Sequence, residues 1–578
     1  MQFSKIFREF RIPRTGDIKR VFFSLSKKEL IMIGTLTVIF IVSFIIFFHK
    51  LNNRYLVEIP TYGGTLSEGI IGTPRFINPI LAISDADKDL TALVYSGLMK
   101  KDTDGEIIPN LAESYTISDD GLTYTFTLKS NIYFHDGMPV TADDVIYTIN
   151  KIKDPALKSP KHLNWEGVTI EKISDTEVSF SLKQPYIAFL ENSTLGILPY
   201  HIWKDLTTDE FGFSDLNTNG IGSGPYMIKS ITKKSSGVPS SYNLASFKKY
   251  VGGRPFESTI VFKFYPNEKE LVRALENKDI NQASTITPEN AEGLKKGGNI
   301  IKTSVLPRIF GLFFNQNQAS IFTDKQIIKA FNLAIDKKEI VENVLSGYGV
   351  TISSPVPSSI TNEKDAQEQI VSIEQANIIL DKAGWSLGTD GIREKKINKQ
   401  TVKLAFSIAT GDTSELKSAV DLIALDLKKI GVAADVKIYD ISALNQNVIR
   451  TRKYDALFFG EIINHESDLY AFWHSSQRND PGLNIALYTN TKVDKLLETA
   501  LTTTDQDERI KKYIQFENEI EKDQPAVFIY SPNFIYAIAP NLEGFSPNQI
   551  TVPSDRFNGI EYWHTETEKI WKIFAPKN

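Results

Sequence analysis

The seven histidines of this 578-residue chain are His49, His135, His162, His201, His465, His474 and His564, and no two of them stand four residues apart. There is no H-E-x-x-H run, so the helical spacing that lets two imidazoles share a metal is missing. The chain has no cysteine. That removes thiolate metal sites, cysteine nucleophiles, disulfides and a lipid-modified N-terminal cysteine from the possible chemistry. No G-x-S-x-G elbow and no Walker A loop occur, so neither a serine-hydrolase elbow nor a P-loop site is supported. Gly222-Ser223-Gly224 lacks the strand-to-helix context of a dinucleotide site. His135, beside Asp136-Gly137, reads as packing for a turn. These patterns give no support to an enzyme or to a bound cofactor.

The element that positions everything else is the uncharged apolar stretch Leu30 to Phe48. At about 1.5 Å per residue it can cross roughly 30 Å of hydrocarbon as a helix. Eight basic residues stand before it (Lys5, Arg8, Arg11, Arg14, Lys19, Arg20, Lys27, Lys28), against Glu9, Asp17 and Glu29. The basic side normally stays cytoplasmic, which predicts a single-pass membrane protein with its bulk outside the cytosol. The whole chain carries −5, so the basic segment is better explained as a topology signal than as a nucleic-acid arm. No small-x-small cleavage pattern follows Phe44-Ile45-Ile46-Phe47-Phe48, which favours an uncleaved anchor over a removed signal peptide. Residues 1–29 are thus expected to be a cytoplasmic tail, 30–48 the anchor and 49–60 a linker reaching at most about 40 Å.

Residues 61–578 exceed a single hydrophobic core and predict two to four domains. Up to about residue 200 the pattern is strands and turns. In Leu122–Lys129 the side chains Tyr124, Phe126 and Leu128 alternate with threonines, the mark of a half-buried strand. Glu177–Leu182 alternates likewise. Thr141-Ala142-Asp143-Asp144 opens a helix, with Thr141 as its cap and two acids at its positive end. From about residue 310 the texture is α/β. Asp324–Leu345 predicts one amphipathic helix stopped by Gly347. Val402–Ile408, Thr413–Ile430 and Val432–Ile438 predict a strand, a helix and a second, parallel strand. Asp505–Lys522 predicts a further helix.

Several motifs, in order, resemble those of the family 5 extracellular solute-binding proteins of ABC importers, the oligopeptide- and dipeptide-binding group. They are Thr73-Pro-Arg-Phe-Ile-Asn-Pro79, Tyr95-Ser-Gly-Leu98 with Pro109-Asn-Leu-Ala-Glu-Ser114, and the signature Tyr124–Gly137 with Pro139–Val145. Further along come Gly222-Ser-Gly-Pro-Tyr226, Ala330–Lys337, and Ala383-Gly-Trp385 with Asp390-Gly-Ile-Arg393. The resemblance implies an α/β, two-lobed periplasmic-binding-protein-like fold of the class II type with an extra β-rich domain. Lobe 1 would combine a base domain (61–90, 198–305 and 540–578) with a β-rich insert (91–197), and lobe 2 would span 306–539. The implied function is capture of a peptide or similar small solute by hinge closure and delivery to ABC permease subunits, by a monomer and without nucleic acid. The alternative is an extracytoplasmic sensor or chaperone-like binding module uncoupled from transport.

The resemblance also nominates ligand contacts. Ala82, Ile83, Ser84 and Asp85 match a stretch that often offers backbone groups to an extended ligand. In the segment Tyr454–Trp473, relatives often meet the ligand ammonium with a carboxylate. Here the wording is altered: Glu461 stands where an aromatic is common, His465 near the usual carboxylate, and Leu469 in place of a proline. Glu461, Glu466 and Asp468 remain as possible acid partners, with solvated loop acids as the alternative. Trp473 is a pocket wall or a core side chain, and Asn484 sits in a run resembling the cleft mouth. His465 and His474 leave a bound metal complex as a minor alternative. Lys161 lies near a ligand-facing loop and is expected to be solvated.

Overall fold

The computed structural model describes residues 23–186, 189–361, 370–503, 505–546 and 548–575. Lys5, Arg8, Glu9, Arg11, Arg14, Asp17, Lys19 and Arg20 of the expected tail lie outside the described residues. The chain divides into two units, residues 1–61 with 566–578, and residues 62–565.

In the first unit a 29-residue helix, Lys27–Tyr55, contains the apolar stretch, and none of its residues is buried. It is long and apolar enough to cross a membrane. Ser26 and Glu29 form a reciprocal cap at its start: the Glu29 carboxylate accepts from the Ser26 N–H at 2.8 Å, and the Ser26 hydroxyl accepts from the Glu29 N–H at 3.4 Å. The segment expected as a linker is structured. Residues 49–55 continue the helix, because nothing there breaks its hydrogen bonding, and Leu56–Pro60 is a strand paired antiparallel with Thr567–Trp571.

The second unit is built around one twelve-stranded sheet. Its organising element is the 13-residue strand Ala526–Ile538. Residues 526–532 pair with Arg308–Phe314 and Gly349–Thr351. Residues 533–538 pair with Ile300–Val305, and within that stretch Tyr536 and Ala537 also pair with Gln282–Ser284. Pro532 stands where the partners change, and lacking an N–H it offers the ladder no donor there. A second crossing runs alongside. Ile300–Val305 passes through Leu306-Pro307 into Arg308–Phe314, and the Leu306 N–H donates to the Pro532 carbonyl at 3.0 Å.

On one side of this shared strand, Gly63–Ile71 lies between Gln282–Ser284 and Glu257–Tyr265 and runs parallel to both. A separate antiparallel sheet carries Thr123–Leu128 between Ala112–Ile117 and Glu177–Ser181. There Tyr124, Phe126 and Leu128 are buried, as the alternation predicts. Thr141 precedes the helix Ala142–Lys153 and Asp144 returns a hydrogen bond to its N–H at 2.7 Å. On the other side, Ala405–Gly411 is parallel to Ala433–Tyr439 across the helix Ser414–Lys429, the expected βαβ unit.

Two sequence expectations are corrected. Asp324–Leu345 is two helices, Lys325–Ala334 and Lys337–Leu345. Ile335 turns extended and Asp336 caps the second helix, accepting from the Glu339 N–H at 2.9 Å. The apolar periodicity runs through the break and hides it. Likewise Val402–Ile408 is not one strand. Gln400–Lys403 belongs to a small hairpin sheet and Ala405–Gly411 to the large one, with buried Leu404 at the step.

A buried charge cluster ties distant segments together. Arg556 is fully buried and donates to Glu68 at 2.8 Å and to both oxygens of Asp89 at 2.8 and 2.5 Å. The Tyr536 hydroxyl on the shared strand donates to the other oxygen of Glu68 at 2.9 Å. Such a cluster is costly to break one member at a time, because the remaining charges stay buried without a partner. Arg556→Met should therefore lower the unfolding free energy by about 3–5 kcal/mol. A lower urea midpoint for the full chain would register it. The triple variant Glu68→Gln, Asp89→Asn, Arg556→Met should recover part of the loss.

Candidate ligand cavity

A cavity of about 450 Å³ opens in the second unit, lined chiefly by segments 79–110, 161–196 and 551–561 and reached by the loop residues Asn464 and His465. Each wall has a local reason for its place. Asn78 folds the 78–82 turn, its side-chain carbonyl accepting from the Ile80 N–H at 2.9 Å and its backbone carbonyl from the Ala82 N–H at 2.9 Å. Ser84 caps the helix Asp85–Val94, and Asp87 answers with bonds to the N–H groups of Ser84, Phe76 and Arg75. At the far end of that helix, Gly222 and Gly224 pass so close that a Cβ would lie 2.0 Å from the Val94 carbonyl oxygen and 2.4 Å from that of Leu93. These glycines are a packing requirement. His135 seals the same corner. Its Nδ1 accepts from the Gly222 N–H at 3.3 Å, so its Nε2 is the protonated nitrogen and donates to the Gly224 carbonyl at 3.0 Å. Burial pushes its pKa down to about 4, which keeps this neutral tautomer.

The cavity wall carries four lysines (Lys88, Lys100, Lys101, Lys161) and three carboxylates (Glu191, Asp555, Glu561). The carboxylates are already engaged. Glu561 takes Lys100 at 2.6 Å. Asp555 accepts from the N–H groups of Thr551 and Val552, both at 2.9 Å. Glu191 takes Lys101 at 2.5 Å and also holds His465. Burial pushes the Glu191 carboxyl up, but the His465 hydrogen bond and the Lys101 charge outweigh it and hold the group below its usual range. Lys88 and Lys161 have no ion pair among the described residues. Lys161 is exposed, yet it borders the cavity. Enclosure and then the like charge of Lys88 push its ammonium below the usual value, with Glu191 opposing.

Of the residues nominated from sequence, the cavity brings together Ala82 and His465. Ile83 is 64% exposed beside it, Ser84 is the helix cap and Asp85 the first helical residue. Glu461 is buried on the face of its strand that also carries Leu457, in the core that holds Trp473, and burial pushes its carboxyl well up. Glu466 is paired with Arg509 at 2.6 Å. Asp468 closes its own loop, accepting from the N–H groups of Asn464 and His465 at 2.8 and 2.9 Å. Trp473 is fully buried among Phe313, Tyr488, Phe516 and Phe528. Asn484 is fully buried and braces a turn, donating to the carbonyls of His474 and Tyr488. Sequence reasoning did not find Lys88, Lys101, Glu191 or Asp555, which follow no motif; Lys161 is exposed, as expected, and also borders the cavity.

The His465–Glu191 contact, with Tyr186 and Ser467 at 3.4 Å beside it, joins loop 464–468 to the helix Phe189–Asn192. Because the Glu191 pKa is depressed, its contribution to stability is complete above the unfolded carboxyl value and is lost as pH falls through the folded one. Wild-type melting temperature should therefore drop as pH falls below the ordinary carboxyl range. Glu191→Gln should flatten that part of the curve in a pH-resolved thermal scan.

Comparison with known proteins places this geometry. The model of the bacterial extracellular solute-binding proteins, family 5 (middle), matches residues 106–481. The oligopeptide-binding protein AppA of Bacillus subtilis (strain 168) is 30% identical over 514 residues, covering 87% of this chain and 92% of AppA. Its crystal structure with a nonapeptide superposes with a TM-score of 0.61 at 29% identity, covering 87% of this chain and 99% of that one. The ABC transporter substrate-binding protein CtaP of Listeria monocytogenes gives a TM-score of 0.73 at 28% identity, over 88% and 100%. NikZ of Campylobacter jejuni, solved with Ni(L-His), gives 0.65 at 26%, over 86% and 99%. The fold is that of the periplasmic binding proteins.

Proposed function

Because the chain belongs to the family 5 bacterial extracellular solute-binding proteins, we propose that it captures a short peptide outside the cytosol and presents it to the permease subunits of an ABC importer. The helix Lys27–Tyr55 holds it at the membrane as an uncleaved single-pass anchor, and the chain works as a monomer and performs no catalysis. The observation that carries the peptide reading is the cavity itself: about 450 Å³, bordered by Ala82 and His465, with two lysines on its wall that have no ion pair among the described residues. That volume suits a small solute or short peptide. Kinship with AppA, whose crystal structure holds a nonapeptide, favours a peptide over the nickel–histidine chelate carried by NikZ.

The charge pattern adds a polarity. Glu466 and Asp468 are engaged, and Glu461, whose carboxylate has no hydrogen-bond partner among the described residues, is buried in its strand, so none of the three offers an accessible carboxylate to a ligand ammonium. Lys161, with Lys88 behind it, is free for a ligand carboxylate. The ligand's anionic end is therefore the one recognised by charge, with Ala82 and Asn464-His465 flanking its backbone. Opening and closing occur about the two crossings at Leu306-Pro307 and Pro532.

Titration calorimetry of the full chain in detergent tests this with short peptides bearing free or amidated C-termini. Free-acid peptides should bind and raise the melting temperature. Lys161→Ala should weaken them about tenfold or more, the range of one lost charge-assisted hydrogen bond. Amidated peptides should be insensitive to the change, and N-acetylation should cost little. Absence of heat and of any melting shift with every peptide, alongside a response to nickel–histidine, would reassign the cargo.

A further inference from the structure

We propose that Trp571 and the turn Lys572–Phe574 form a foot that inserts into the headgroup layer of an anionic bilayer beside the exit of the helix Lys27–Tyr55. The inference rests on the anchoring role given to that helix above. In the antiparallel register, Leu56 faces Trp571 and Pro60 faces Thr567. The strand Thr567–Trp571 therefore runs back toward the helix and delivers the turn at the helix exit. There the Tyr55 and Trp571 rings stack at 6.3 Å and 15°. The next residues are apolar and uncovered: Ile573 is 77% and Phe574 73% exposed, beside Trp571 at 43%.

Depth supports the same occupant. From Phe48 to Tyr55 the helix rises seven residues, roughly 10 Å, past the end of the apolar run. Headgroups extend about 5–7 Å beyond the hydrocarbon on each side. The ribbon's near end thus stands at the outer edge of the headgroups, within one large side chain's reach of them. Tryptophan and tyrosine favour this layer, where an apolar ring can hold a polar tip in water.

Charge is polarised along the ribbon in the matching sense. The helix-exit end carries Lys50, Arg54 and Lys572, and residues 49–57 and 570–575 contain no carboxylate. Glu58 stands mid-ribbon, paired to Lys569 at 3.2 Å, and the far end carries Glu566 and Glu568. Cations at the near end and anions at the far end suit an anionic surface, which attracts lysine and arginine close to it.

Intrinsic fluorescence can read the foot directly. Trp165, Trp203, Trp385, Trp473 and Trp563 are at most 2% exposed, so among the six tryptophans Trp571 is the one open to a quencher in lipid. The full chain is reconstituted in vesicles of phosphatidylcholine with a quarter phosphatidylglycerol, carrying bromines at shallow or deep acyl positions. Flotation reports anchoring separately. We expect the Trp571 component, defined by difference from Trp571→Phe, to be quenched about twofold, more by shallow than by deep bromines, and with its emission shifted to the blue. The double variant Ile573→Asp, Phe574→Asp should float equally well yet lose the quenching. A chain that floats while Trp571 escapes both quenchers overturns the foot and leaves the anchor standing. A chain that does not float removes the anchor and the foot together.

Discussion

One strand, Ala526–Ile538, is hydrogen-bonded into both halves of the large sheet, and the rest of the second unit is arranged around that constraint. Its partners change at Pro532, beside the neighbouring crossing Leu306-Pro307. Both crossings carry a proline, which contributes no N–H to the ladder and narrows the backbone angles available. The connection between the halves is therefore short, and it is hydrogen-bonded up to its edges on either side.

The charges are disposed according to whether they must hold or be available. Glu68, Asp89 and Arg556 come from three distant stretches and satisfy one another in full burial, with Tyr536 linking them to the shared strand. Their specific geometry ties the sequence-distant pieces of one half together. The cavity charges are arranged differently. Every carboxylate there has a cation or backbone N–H, while Lys88 and Lys161 have no ion pair among the described residues. Cations without an ion pair on a cavity wall favour an arriving anion, because the opposite charge is already in place.

Helix and ribbon in the first unit follow a similar economy. Antiparallel pairing brings residues 567–571 back beside residues 56–60, so two sequence-remote segments share one short, locally stabilised structure at the end of a long apolar helix. The exposed aromatic and aliphatic side chains there find no cover within the unit, in contrast to the tightly packed cores of the second.

Local pattern alone determined a good deal. The apolar run, the alternation of Tyr124, Phe126 and Leu128, the helix start after Thr141 and the βαβ unit at 405–439 were all readable, since each depends on residues within a few turns or strands of one another. The ordered motifs carried the family, and with it the expectation of two lobes. Sequence erred where periodicity outlasts a break, as at Ile335-Asp336, and where one extended stretch changes sheets, as at Leu404. Tertiary structure alone decided which charged groups are free. Glu461 and Lys161 look alike on paper, a single charge in a loop or strand. Packing against Trp473 removes the first from solvent, while the walls around the cavity leave the second unpaired. Availability depends on partners hundreds of residues away, such as Glu191 for His465 and Arg556 for Glu68, and no local pattern encodes those.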